Sequence, residues 1–246
     1  MNSRRKFLKT STFASIAIIS SPSFAISTPT YNYSDKYLIG RSKPELYGNG
    51  YKVLKRVHEA YLDMNSAAVK SGMSVRVVSS YRSFNHQNLI WTRKFNRYVS
   101  RQLSSKTAVD YNIRYTAIPG SSRHHWGTEI DVVDGTVKTS QYPLNTRHYH
   151  GDGIYKNFRE WMDEHANKYG FYRVYTNDYT RRGFRYEPWH YSFAELAKPM
   201  LKEYTERDVQ KILKHQELLG KNYFTETFID QYTKDNILGI NKNLLI

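Results

Sequence analysis

Two short runs far apart in the chain carry imidazoles and carboxylates whose chemical meaning appears only when they are put together, so any fold must make them converge. The first, SRHHWGTEID, runs from Ser122 to Asp131, and the second, EPWH, from Glu187 to His190. Together they offer His124, Asp131 and His190 as two imidazoles and a carboxylate, with Glu187 beside the last. Three protein ligands that leave a fourth position for water, plus an acid that is not itself a ligand, form the inventory of a catalytic zinc site. Either run alone reads more plainly as surface or hydrogen-bonded core histidine. A second cluster, His148, His150 and Asp152, falls in a polar stretch and reads as a solvated loop.

A third fragment, SSYRSFNHQ from Ser79 to Gln87, lies upstream of both. The ordered set SxYRSxxxQ, SxHxxGxxxD and ExWH resembles the LAS metallopeptidases, a group that includes D-alanyl-D-alanine carboxypeptidases of the VanY kind, L,D-carboxypeptidases and the hedgehog signalling domain. The resemblance spans residues 38–193. It implies a small antiparallel sheet with packed helices, zinc held by His124, Asp131 and His190, Glu187 as the base, and substrate contacts from Arg82 and Gln87. The implied activity is removal of terminal D-alanine from peptidoglycan stem peptides, at a D,D or an L,D bond. Two rivals stand beside it: an endopeptidase that cuts peptide crosslinks, and a non-catalytic zinc-stabilised module that binds cell wall.

Residue chemistry sharpens some of these roles and leaves others open. Glu187 and His190 are three apart, so a regular strand would send them to opposite faces, and Pro188–Trp189 must bend the chain for both to meet one ion. The planar fork of Arg82 suits either the substrate's terminal carboxylate or the oxyanion of the scissile carbonyl. Ser122 is either a hydrogen-bond donor to substrate or a turn cap. His125 is expected to point away from the ion, and Trp126 and Trp189 to wall the cleft. Where the family pattern has a small residue two before the ligand aspartate, this chain has Glu129, on the same strand face as Asp131. It is placed to pair with an arginine or a substrate ammonium, or to reach the metal.

At the N-terminus, Ser3–Lys9 reads SRRKFLK and is followed by a short apolar run over Phe13–Ile19. That is the form of a twin-arginine export signal over residues 1–25, too short in its apolar part for the roughly 20 residues of a membrane span. Export to a periplasmic or other extracytoplasmic space is expected, with no stable membrane span after removal of the signal. Removing Arg4, Arg5, Lys6 and Lys9 with no acidic residue lowers the net charge from +15 to +11. In an exported enzyme this positive charge suits cell-wall carboxylates and phosphates rather than nucleic acid, or is spread over a solvated surface. With no cysteine, neither thiolate ligands nor disulfides are available.

Residues 26–50 are polar and turn-rich and read as a linker; residues 51–193 hold the chemistry. Val53, Val57, Tyr61, Met64 and Ala68 predict one face of a helix ending before Gly72. A strand over Met73–Val78 then delivers Arg82, and a helix is expected over Phe84–Val99. Further strands are expected over Gly127–Val133, Phe171–Thr176 and Phe184–Tyr191, and a helix over Lys156–Tyr169. Residues 100–120 and 135–153 read as long loops. The fold class is α+β, and residues 194–246 form a helical extension with no visible chemistry, packed on the domain or serving as an interaction surface.

Overall fold

The structure, a computed structural model, describes residues 32–139, 141–214 and 216–246. The export-signal segment lies outside these residues.

The chain enters through a short helix, α1 (Asp35–Leu38), which buries Leu38. Helix α2 (Lys55–Lys70) buries Val57, Ala60, Tyr61, Met64 and Ala68, the face its spacing predicts. It stops at Gly72, whose φ of 76° is open to glycine at little cost. Strand β1 (Val75–Ser79) follows, then α3 (Phe84–Val99), capped where Ser83 Oγ accepts the His86 N–H. Helix α3 buries Phe84, Gln87, Trp91 and Phe95 on one side. Full burial of side chains such as Trp91 and Phe95 contributes about 1.5–3 kcal/mol each.

Strand β2 (Glu129–Asp134) is buried along its whole length. After it come α5 (Lys156–His165), β3 (Phe171–Arg173) and β4 (His190–Phe193). The four strands form one sheet in the order β1-β2-β4-β3, every pair antiparallel, with helices packed beside it. This is the α+β arrangement expected. Ile130, Val132, Tyr191 and Phe193 join the apolar cluster that includes residues of α2 and α5. Glu129, Asp131, His190 and Ser192 alternate with them onto the other face.

Two expectations need correction. The stretch 100–120 contains a helix, α4 (Ser105–Asn112), because Ser104 Oγ accepts the Thr107 N–H and Ala108 and Val109 reach the core. Likewise, Phe184–Tyr191 is not one strand. Pro188 and Trp189 form a turn, closed by His190 N–H donating to the Glu187 carbonyl at 3.3 Å, and the regular strand begins only at His190.

The C-terminal helices α6 (Ala194–Thr205), α7 (Val209–Lys214) and α8 (Glu226–Tyr232) bury Leu201, Tyr204, Leu213 and Ile229 in one cluster with Trp91, Phe95 and Val109. They also hold the ligand loop. Tyr232 Oη accepts the Ile118 N–H at 3.1 Å and lies 2.9 Å from Ser121 Oγ. Tyr232→Phe strands the buried Ile118 N–H and is expected to cost about 1–3 kcal/mol in urea unfolding. An unchanged midpoint would show that this bond contributes nothing.

Candidate metal centre and its groove

A bulge aims β1 at the site. Val77 pairs with Val132 and Ser79 with Asp131, so Val78 is the extra residue, and Ser79 comes onto the Asp131 face. The next residues then reach the centre directly. The Ser80 carbonyl accepts from His124 Nδ1 at 2.7 Å, and Arg82 Nη2 donates to Asp131 Oδ2 at 2.8 Å and to Ser79 Oγ at 2.8 Å.

His124 sits on a single 3-10 turn, Arg123–Trp126, which ends at Gly127 with φ of 73°. A Cβ at Gly127 would crowd Leu46 and Leu54. Because His124 Nδ1 donates to the Ser80 carbonyl, Nε2 is the nitrogen left to face Asp131, 3.6 Å from Oδ2. His190 is oriented from the other side. Its Nε2 donates to Glu129 Oε2 at 2.9 Å, and its Nδ1 lies 3.9 Å from Asp131 Oδ1 and 3.1 Å from Glu187 Oε2.

One ligand atom from each of His124, Asp131 and His190 lies within 4.8 Å of the others, and all three residues are buried. The ring centroids of the two histidines are 4.7 Å apart. Asp131 Oδ1 is a buried oxygen with no hydrogen-bond partner, the kind of orphan that a coordinated cation satisfies. Two imidazoles whose outer nitrogens are already committed, plus this carboxylate, fit a divalent ion and suit zinc. Among the described residues no second group of this kind occurs. His150 Nε2 instead meets Tyr186 Oη, and the His148 ring packs edge-on against Tyr155.

Electrostatics favour a cation at the same point. Burial alone would lower the pKa of His190, but hydrogen bonds to Glu129 and Glu187 and the charge of Asp131 raise it to about 9. Burial pushes Asp131 up to about 6 against the attraction of His190 and Arg82. His124, by contrast, is pushed well below its usual range by burial, Arg82 and His190 and is neutral, whereas a cation binding here would have to displace the proton that these acids hold on His190.

Glu129 is fully buried, and its position shows what replaces the small residue of the family pattern. Its carboxylate accepts from His190, from Ser192 Oγ at 2.6 Å, from Thr128 Oγ1 at 3.0 Å and from Arg123 Nη2 at 3.3 Å. Burial opposes its charge, but Arg123, His190 and Ser192 outweigh that and hold the carboxyl at about 2. Glu129 therefore orients His190 through the nitrogen that faces away from Asp131. Arg123 had no assigned role in the sequence; the one signal for it is that a buried glutamate needs a cation and Arg123 is the basic residue in the same run.

The remaining residues sort by what they touch. Gln87 lines the groove, with Nε2 donating to the Ala117 carbonyl at 2.9 Å and Oε1 buried without a partner. Ser122 also lines it, and its side chain makes no capping hydrogen bond. His125 is a staple: Nδ1 donates to the Arg82 carbonyl at 2.7 Å, while Nε2 accepts the Gly120 N–H at 3.1 Å. Trp189 walls the groove as expected, but Trp126 does not. It is buried in the core with Nε1 donating to the Leu38 carbonyl at 3.1 Å, because its turn faces α1. The groove has a volume of about 640 Å³ and runs from the ligands past Arg82 and Glu187 along α3.

Comparison with known proteins places this geometry in a family. The sequence profile described as VanY, D-alanyl-D-alanine carboxypeptidase, matches residues 50–196. A D-alanyl-D-alanine carboxypeptidase of Enterococcus faecalis is 30% identical over 154 residues, which cover 62% of this chain and 52% of that protein. One from Enterococcus faecium is 25% identical over 224 residues, covering 84% of this chain and 63% of that protein. The chain thus spans between half and two thirds of the length of these curated relatives. Among solved structures, the vancomycin-resistance D,D-pentapeptidase VanY in complex with Zn(II) is 26% identical with a TM-score of 0.50, covering 74% of this chain and 88% of that one. VanYB in complex with D-alanine-D-alanine matches equally well. With the profile covering more than half of its residues, the chain belongs to the VanY family of D-alanyl-D-alanine carboxypeptidases.

Proposed function

We propose that this protein is a zinc-dependent carboxypeptidase that removes the terminal D-alanine from peptidoglycan stem peptides by cutting a D,D bond. The observation that carries the reading is the convergence of His124, Asp131 and His190 with Glu187 3.1 Å from His190, at one end of a groove lined by Arg82. The VanY relative in complex with Zn(II) supports zinc, and VanYB with D-alanine-D-alanine supports the D,D bond.

In this reading His124 Nε2, His190 Nδ1 and an Asp131 oxygen hold the ion. A bound zinc supplies Lewis acidity and brings the pKa of a water molecule down to about 7. Glu187, at the mouth of the turn that ends in His190, accepts a proton at its carboxylate and returns it to the departing amine. Arg82 has Nη2 and Nε committed to Asp131 and Ser79, which fixes the plane of its guanidinium and leaves Nη1 for the oxyanion that develops on the carbonyl. Ser122 and the Gln87 side-chain carbonyl, both in the groove lining, serve to orient the peptide. The twin-arginine run at Ser3–Lys9 supports export to the compartment where peptidoglycan lies. Among the described residues no helix is long and apolar enough to cross a membrane.

Zinc-loaded protein incubated with pentapeptide muropeptides should release D-alanine, detected by mass spectrometry, and chelation should stop the release until zinc is restored. Release of a larger fragment instead would favour the endopeptidase reading. Tight binding with no release would favour a wall-binding module.

A further inference from the structure

Five cationic side chains line the groove: Arg82, Arg93, Lys94, Arg97 and Arg123. Two of them are committed within the protein, Arg82 to Asp131 and Arg123 to Glu129. No ion pair among the described residues involves Arg93, Lys94 or Arg97. All three project from α3, at spacings of one, three and four residues, and so share one side of the helix. Gln87 lies two turns before Lys94 on the same stripe. Like charges four apart disfavour a helix, so a cluster with no internal counter-ion, placed along a binding groove, is matched to an anion from outside.

Lys94 is the member best placed to touch that anion. It is half-buried, and Nζ donates to Thr116 Oγ1 at 2.5 Å, next to the residue whose carbonyl Gln87 holds. An ammonium has three donors, so two remain. It lines the same groove as Arg82, Glu187 and the three candidate ligands. Arg82 has Nε and Nη2 committed to Ser79 and Asp131, and its remaining Nη1 is the donor assigned above to the oxyanion.

We propose that Lys94, with Arg93 and Arg97 behind it, is the subsite that takes the free terminal carboxylate of the substrate, so that this chain acts on chain ends. The inference rests on the carboxypeptidase reading above and adds which cation recognises the end. A substrate that continues past the leaving residue, or whose terminus is an amide, presents no charge to this subsite. Burial lowers the pKa of Lys94 to about 8, helped by Arg82, Arg97 and Arg93 and opposed by Glu187. The ammonium is therefore charged below that pH and is lost as pH rises through it.

The test uses zinc-loaded protein and an acetylated peptide ending in D-Ala-D-Ala, as the free acid and as the C-terminal amide, followed by calorimetry for binding and by mass spectrometry for release. Wild type should prefer the acid by about 30-fold or more. Lys94→Gln should abolish that preference through KM, with little change for the amide, and Lys94→Arg should restore it. The acid's kcat/KM should fall above pH 8 in wild type and hold in Lys94→Arg. Retention of the preference in Lys94→Gln, or an equal loss on both peptides, would overturn the proposal and leave Lys94 as a pin for Thr116. Binding that prefers the acid without release from either peptide would sink the carboxypeptidase reading and leave the subsite intact. Binding with no preference would sink the subsite alone.

Discussion

Glu187→Gln is expected to lower kcat for D-alanine release by about 10²- to 10⁴-fold while the protein keeps a full complement of metal. The amide has nearly the shape of the carboxylate, so the turn through Pro188 and Trp189 and the pairing of β4 with β2 should persist. What it cannot do is accept a proton and hand it to the leaving amine. Because Glu187 is not in the ligand set, the loss should appear in kcat with zinc content by elemental analysis unchanged. A variant that keeps turnover would mean that another group moves the proton, and one that loses zinc would make Glu187 a ligand.

Glu129→Ala should have the largest effect on stability. Arg123 and Glu129 are almost wholly removed from solvent, with side chains 5% and 0% exposed. Breaking such a pair by removing one member costs about 3–5 kcal/mol, since the other charge is left uncompensated. The same change removes the acceptor that fixes His190 Nε2, and loss of such a partner typically weakens metal binding by about 10- to 100-fold. Glu129→Gln separates the two effects. It fills the same space and can still meet His190 and Ser192, so it should unfold less readily than Glu129→Ala yet bind zinc more weakly than wild type in a chelator competition. Wild-type affinity in both variants would remove Glu129 from the account of the site.

These effects also mark where the sequence stopped being readable. The stripe of Val57, Tyr61, Met64 and Ala68 follows from local spacing, while the donor runs around His124 and His190 are joined by the family resemblance, and the structure has the stripe buried and the donors together. The bend at Pro188–Trp189 was required by the strand period alone, and it is there. The bulge between Val77 and Ser79 has no such signal, because it depends on the strand β1 pairs with. Tyr232 and Ile118 meet only through tertiary folding, so no residue pattern announces them, whereas for Glu129 the sequence offers an arginine as one partner without saying which, and the structure makes it Arg123. Trp126 shows the same limit: it lies two residues after His124 in sequence, but its turn carries it into the core against α1. Helix α4 was missed because a polar surface hid the two small apolar residues, Ala108 and Val109, that anchor it.

Two distant segments that hold one ion through two imidazoles and a carboxylate leave a signature in X-ray absorption at the zinc edge of the loaded protein. The expected spectrum has one zinc per chain with two imidazole nitrogens and light oxygen donors at about 2.0–2.2 Å, and it loses one imidazole in His124→Ala. A shell with a single imidazole, or one that His124→Ala leaves unchanged, would contradict it.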